Sequence, residues 1–413
     1  MSGSKLEPVL AHIDANIEIA TEHLFDLLRI PSISTDPNFK VDCDTAADWL
    51  VQDLKSIGFD ASKRTTPGHP MVLAHAGDRG IHLMFYGHYD VQPVDPLGLW
   101  DSPPFEPVLE SGDLGPVIRA RGASDDKGQL MTFVEACRSW KAVHGNLPGK
   151  ISLFFEGEEE SGSPSLVPFM TENSAELTAD IALICDTGLF GNNTPGIVTR
   201  LRGMLGEELT ITGPSKDLHS GMYGGVAINP ARILAKIIST LHDENGRITI
   251  PGFYDGVPEL SPEMSEQWDG LNFDTAGFLD QVGLSKLAGE HGRTALEMIW
   301  SRPTCEVNGI WGGYTGLGFK TVLPSQASAK ISFRLVGTQD PNKIRDNFRA
   351  VVQSMLPPDC TVKFKSHGSS AGSEMAIDNH AFEAARVALS DEWPEPAAFV
   401  GCGGSIPIAG HFK

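Results

Sequence analysis

Apolar residues recur at helical spacing from the start of the chain. Val9, Leu10, Ile13, Ile17, Ala20, Leu24, Leu27 and Leu28 share one face, and Pro31 closes the run. The period predicts a helix over 7–30. A second amphipathic run over 43–57 ends at Gly58, a residue suited to a helix C-cap. The pattern then shortens. Met71–Ala74 and Ile81–Tyr86 are continuous apolar runs, as expected of strands covered on both faces. A helical pattern over Lys127–Val143, the strand-like ISLFFE (151–156), a helix near 164–172 and IALIC (181–185) follow. Strands alternating with helices predict an α/β layer built on a largely buried sheet.

After about residue 203 the pattern changes. The strand GEELTIT (206–212) precedes a helix over 230–242, which Asn229 can cap and Pro230 can open. An irregular stretch over 251–304 is rich in Gly, Pro and acids. Strand signals at 306–311 and 327–336 lead to a second helix starting at Asp340-Pro341, then the strand TVKFKS (361–366). The order β-α-β-β-α-β is that of a ferredoxin-like domain. From about 376 the α/β flavour returns, with a helix over 379–389 and a Gly-rich loop, GCGGSIP. The simplest organisation is an α/β domain of 1–203 and 376–413, into which an α+β domain of 204–375 is inserted.

A chain of 413 residues is long enough for two to three domains. Lys+Arg 32 against Asp+Glu 53 gives a formal charge of -21. That balance argues against nucleic acid and anionic membranes as partners, since both are polyanions. No run of 18 apolar residues occurs, and acids interrupt the N-terminal stretch where an export signal needs an apolar core. The six cysteines (43, 137, 185, 305, 360 and 402) are scattered without a C-x-x-C pair, as expected of reduced thiols in a cytoplasmic protein.

Four short motifs fall at predicted strand ends, where open α/β sheets gather ligands. GHYDVQP puts His88 and Asp90 on one face of an extended chain, so that the acid could orient a metal-binding ring; the same residues also suit a turn. GASDDKGQL puts Asp125 at a helix start, as a ligand or as an ordinary cap. EGEEESGS packs four Glu into five residues after a strand that reads as buried, and crowded carboxylates need a cation or a raised pKa. ICDTG ends another strand with Asp186. One imidazole with several carboxylates and no thiolate suits a two-metal hydrolytic site of zinc or manganese, with ions ~3.5–4 Å apart. A bound hydroxide would attack, with a spare Glu as general base.

GHYDVQP, ARGASDDKG, EGEEESGS, ICD, DLHSG and GGSIP, in this order, resemble the carnosinase-like, nonspecific dipeptidase branch of the dinuclear zinc metallopeptidases. Wider relatives include carboxypeptidase G, aminoacylase and succinyl-diaminopimelate desuccinylase. The resemblance implies a zinc-peptidase-like catalytic domain with a mixed, mostly buried sheet, plus an inserted ferredoxin-like lid and dimerisation domain. It implies that His88 binds one metal and Asp90 orients it, that Asp125 bridges two divalent ions, that Glu160 and Asp186 are further ligands, and that Glu159 is the general base. The ions would be Zn2+, with Mn2+ or Co2+ as alternatives. His219 would stabilise the oxyanion in the neighbouring subunit of a homodimer. Arg334, with Gly403, Gly404 and Ser405, would hold the carboxylate of a small peptide, and Asn308 would contact substrate. Without the resemblance, His219 reads as a loop histidine and Arg334 as an exposed strand arginine.

The resemblance also predicts a further segment after GGSIPIAGHFK, carrying a last strand, a helix and a final His ligand; His411 comes too soon to be that ligand. Cys402 stands where many relatives have an acid. Two other activities stay open: removal of an acyl group from N-acyl amino acids, or metal binding without catalysis.

Overall fold

The structure, a computed structural model, describes residues 5–112, 115–191 and 193–412. Residues 1–188 and 189–413 form two compact units.

In the first unit the predicted opening helix is two helices, Glu7–Ala15 and Ile17–Leu28. The break is Asn16, which leaves helical geometry and donates its side-chain amide to His12 O at 2.7 Å. A short polar side chain that competes for backbone carbonyls is a poor helix former. The next helix, Lys40–Ile57, ends at Gly58 with φ 87, the left-handed conformation glycine adopts without a Cβ penalty. It lays Cys43, Ala46, Ala47, Leu50 and Leu54 on a five-stranded sheet. The sheet order is Asp60–Arg64, Met71–Ala76, Lys150–Glu156, His82–His88, Ile181–Ile184. The first two junctions are antiparallel and the last two parallel, so the sheet is mixed. Its central strand is buried from Ile151 to Glu156. The helix Lys127–His144 packs across it through Leu130, Met131 and Val134. The strand Asp60–Arg64 escaped the apolar pattern because an edge strand can be polar.

The second unit contains an antiparallel sheet of order Thr304–Gly312, Gln326–Leu335, Gly203–Thr212, Thr361–Ser370. Counted along the chain these strands stand 2-3-1-4, and helices Pro230–Ser239 and Pro341–Ser354 connect them in the expected β-α-β-β-α-β order. Both cap signals hold: Asn229 accepts from the Ala231 amide at 3.0 Å and Asp340 from the Asn342 amide at 2.8 Å. Burial alternates strictly along Gly203–Thr212, and its buried Glu207 is held by Arg345 at 3.1 Å and Arg349 at 2.8 Å. The stretch expected to be irregular holds three short helices, Pro262–Gly270, Thr275–Asp280 and Ala295–Trp300, capped by Ser261, Asp274 and Thr294. None is long enough to establish a period against its Gly and Pro background. Gly196–Leu201 pairs in parallel with Ala398–Cys402, bringing Arg202 beside the loop at 403–405.

Candidate active site

Three parallel strands end together in the first unit. His88 closes one, Glu156 its neighbour, and Asp186 follows the third by two residues. Asp125 lies just ahead of the helix Lys127–His144, joined to Asp126 by a cis peptide. The Nε2 of His88 is 3.1 Å from Asp125 Oδ1 and 4.0 Å from Asp186 Oδ2. One ligand atom from each residue of this trio lies within 4.8 Å of the others. The opposite ring nitrogen, Nδ1, is 3.1 Å from the Asp90 carbonyl and 3.3 Å from its carboxylate. With Nδ1 donating to Asp90, Nε2 is the nitrogen that would bind a metal in place of the proton it shares with Asp125.

Asp90 does more than orient His88. Its carboxylate accepts from the amides of Glu159 and Glu160, at 3.2 and 3.1 Å. One wholly buried acid thus fixes both the imidazole and the turn Glu159–Ser161. Glu160 stands outside the trio and accepts from Gln92 Nε2 at 2.6 Å.

Burial pushes Glu159 up to about 7, an effect His88 opposes and Glu160 and Asp90 reinforce. Asp186 rises to about 6, chiefly through burial. A hydrogen bond to His88 holds Asp125 below the usual carboxylate range. Burial disfavours protonated His88, but Asp125 and Asp90 outweigh it and raise its pKa well above that of a free imidazole. Crowded acids that repel one another around a buried ring nitrogen are the hard N/O donor set a divalent cation would stabilise, so the residues fit a metal.

Sequence reasoning missed the layer behind these groups. Glu156 is wholly buried and accepts from the Tyr86 hydroxyl and from Ser163 Oγ. Asp126 accepts from the His88 amide at 3.0 Å. Glu158 accepts from the amides of His69 at 2.8 Å and Ser165 at 2.9 Å. Lys127 is fully buried, its ammonium donating to Leu27 O and Ile30 O at the end of the helix Ile17–Leu28. The signal for all four was in the motifs: acids and a lysine adjoining apolar runs that must be covered.

The remaining expected residues lie in the second unit. Arg334 donates to Ser405 Oγ at 3.0 Å, on the loop that holds Gly403 and Gly404. Asn308 is exposed at a bulge between Val307 and Gly309, a feature that re-aims a side chain. His219 is exposed on the short strand Leu218–His219, and its Nδ1 accepts from the Gly221 amide at 3.0 Å. The ring proton therefore sits on Nε2, which points a donor outward.

A model of the peptidase family M20/M25/M40 matches residues 84–412. The chain belongs to the M20 peptidases. It is 30% identical over 431 residues to the Cys-Gly metallodipeptidase dug1 of Schizosaccharomyces pombe, covering 100% of this chain and 89% of that one. It is 27% identical to the human Beta-Ala-His dipeptidase over 80% of this chain and 68% of the relative. Among solved structures, an M20 metallo-carboxypeptidase of Sulfolobus solfataricus superposes with a TM-score of 0.83 at 33% identity, over 94% and 87% of the two chains. As an M20 metallopeptidase the chain is a hydrolase of peptide bonds, with the mixed α/β fold of its relatives. Among its described residues no helix is long and apolar enough to cross a membrane.

Proposed function

We propose that this M20 peptidase is a dipeptidase that hydrolyses the amide bond of small dipeptides with a free C-terminal carboxylate. The observation that carries the assignment is the convergence of His88, Asp125 and Asp186 beside the half-buried Glu159. His88, Asp125, Glu160 and Asp186 would hold two divalent ions, zinc before manganese or cobalt. When bound, the ions supply Lewis acidity and make a coordinated water more acidic. Glu159 takes the proton of the attacking water and returns it to the leaving amine. Asp90 keeps His88 and the acid pair in place. Arg334 and the Gly403–Ser405 loop bind the substrate carboxylate, with Asn308 as a further polar contact. His219 offers its Nε2 proton to the oxyanion.

We further infer that the active form is a homodimer in which His219 completes the site of the other protomer. Support comes from exposed apolar side chains near it in sequence, Met222 and Val226, and from Leu317 and Phe319 in the loop before its paired strand, Val322–Leu323. Residues 204–375 would be the inserted domain that makes this contact. Free cysteines at all six positions favour a cytoplasmic home.

Metal analysis together with assays on a panel of dipeptides and N-acyl amino acids tests the function. Turnover of free dipeptides by metal-loaded protein is the expected result. Turnover of the acylated compounds alone would make the chain a deacylase.

A further inference from the structure

Arg202 was not among the residues the sequence singled out, yet it contacts every residue of the loop at 403–405. Its Nε donates to Gly403 O at 2.9 Å and its backbone amide to Gly404 O at 3.1 Å. Its own carbonyl accepts from the Ser405 hydroxyl at 2.6 Å. Since that hydroxyl proton is committed to Arg202, Ser405 Oγ meets Arg334 Nη1 as an acceptor, at 3.0 Å. A Cβ on Gly403 would fall 3.0 Å from Arg202 Nη2 and 3.1 Å from Ile299 Cγ2, so the loop packs on the guanidinium with no room for a side chain.

The two arginines also share an electrostatic problem. Both are half-buried, and their hydrogen-bond partners among the described residues are neutral oxygens of Gly403, Met298 and Ser405. Burial, and next to it the charge of Arg334, bring Arg202 down to about 10, with Cys402 and Glu306 opposing. Two cations held close by neutral groups are relieved by an anion, and a carboxylate accepts two such forks.

We propose that Arg202 is a positioning residue for the anionic end of the substrate: it sets the Gly403–Ser405 loop and joins Arg334 in a two-guanidinium carboxylate site. The inference rests on the carboxylate role proposed above for Arg334 and that loop.

The test compares a dipeptide with its C-terminal amide, in the metal-loaded enzyme. Wild type should prefer the free acid strongly; equal use of both would remove the carboxylate role itself, whatever Arg202 does. Arg202→Met should lower kcat/KM for the acid about 10–100-fold, mainly through KM, and leave the amide nearly unchanged. Arg202→Lys, which keeps a charge but not the contact with Gly403 O, should fall between. Should the Met variant not fold, the Lys variant decides alone. Inhibition by a free amino acid should weaken in parallel, without need of turnover. Equal losses on acid and amide, or an unchanged acid-to-amide ratio in the folded variants, would overturn the assignment, because a merely structural residue does not alter that ratio.

Discussion

His88 and Glu156 end buried parallel strands, with the half-buried Asp186, Glu159 and Glu160 and the exposed Asp125 beside them, whereas Arg334, Ser405, Asn308 and His219 lack such a buried strand end behind them. The first group is backed by Asp90, Asp126, Glu156, Glu158 and Lys127, all buried. It has several perturbed carboxylates, while the second group has one displaced cation, Arg202. The contrast follows from the tasks proposed for the two groups. Repelling carboxylates must be held together until a cation joins them, which takes a rigid and dry support. Groups that receive a substrate must remain open to it.

The largest expected effects fall in the first group. Asp125→Ala should abolish turnover and metal retention, since a carboxylate in the bridging role proposed for it would serve both ions. The cap expected as the alternative is not formed: Asp126 stands at the start of the helix Lys127–His144 with no side-chain cap, and Asp125 pairs with His88. If Asp125 did no more than that, metal content would stay full and the loss would be ~1 kcal/mol in stability. Metal analysis and a melting curve on one sample separate the two. Glu159→Gln should keep its metal yet lose about 10²–10⁴-fold in kcat; near-normal turnover would give the base role to another acid.

In the second group, His219→Ala should fold and bind metal but lose about 10²–10³-fold in kcat, the usual effect of removing an oxyanion donor. Mixing it with Glu159→Gln protein tests sharing between protomers. A mixed dimer would have one site with both defects and one with neither. Activity should therefore return, up to about half of wild type per mixed dimer if sites act independently. If His219 serves its own subunit, every site keeps one defect and none returns. Co-purification of differently tagged subunits must first show that exchange took place.

These two groups were also unequally legible. His88, Asp90, Glu159 and Asp186 could be found because each closes or follows an apolar run, where a charge asks for a reason; Asp125 was marked only by its place at a helix start. Arg334 and His219 interrupt nothing; they came only with the family resemblance. Arg202 lies between two strands, and its contacts depend on Gly196–Leu201 meeting a partner about 200 residues later in the chain. No local pattern carries that pairing. The fold follows the same rule. Capped helices and buried strands were readable, while polar edge strands and helices of six to nine residues were not.

A smaller effect is expected where the first group's support is touched without removing a ligand. Glu158→Gln replaces one acceptor oxygen with an amide donor, facing an N–H of His69 or Ser165. One buried donor then lacks a partner, and the turn that carries Glu159 and Glu160 loosens. Metal affinity should fall about 10–100-fold, as for other residues that orient ligands. Wild-type affinity would reduce Glu158 to a packing residue.

The smallest effect sharpens the contrast from the other side. Asn229→Ala removes the cap at the start of Pro230–Ser239, a helix that packs Leu234 and Ile237 against the antiparallel sheet of the second unit. The change should cost about 1 kcal/mol, a few degrees in melting temperature. Neither metal affinity nor the preference for a free acid over its amide should move, because the cap touches no group of either kind. A stability loss that left both chemical readouts intact would show that the second unit tolerates loosening away from its exposed residues. A drop in metal affinity from this one substitution would instead couple the helix cap to the acids around His88, and the division between a rigid ligand shell and an open substrate surface would have to be given up.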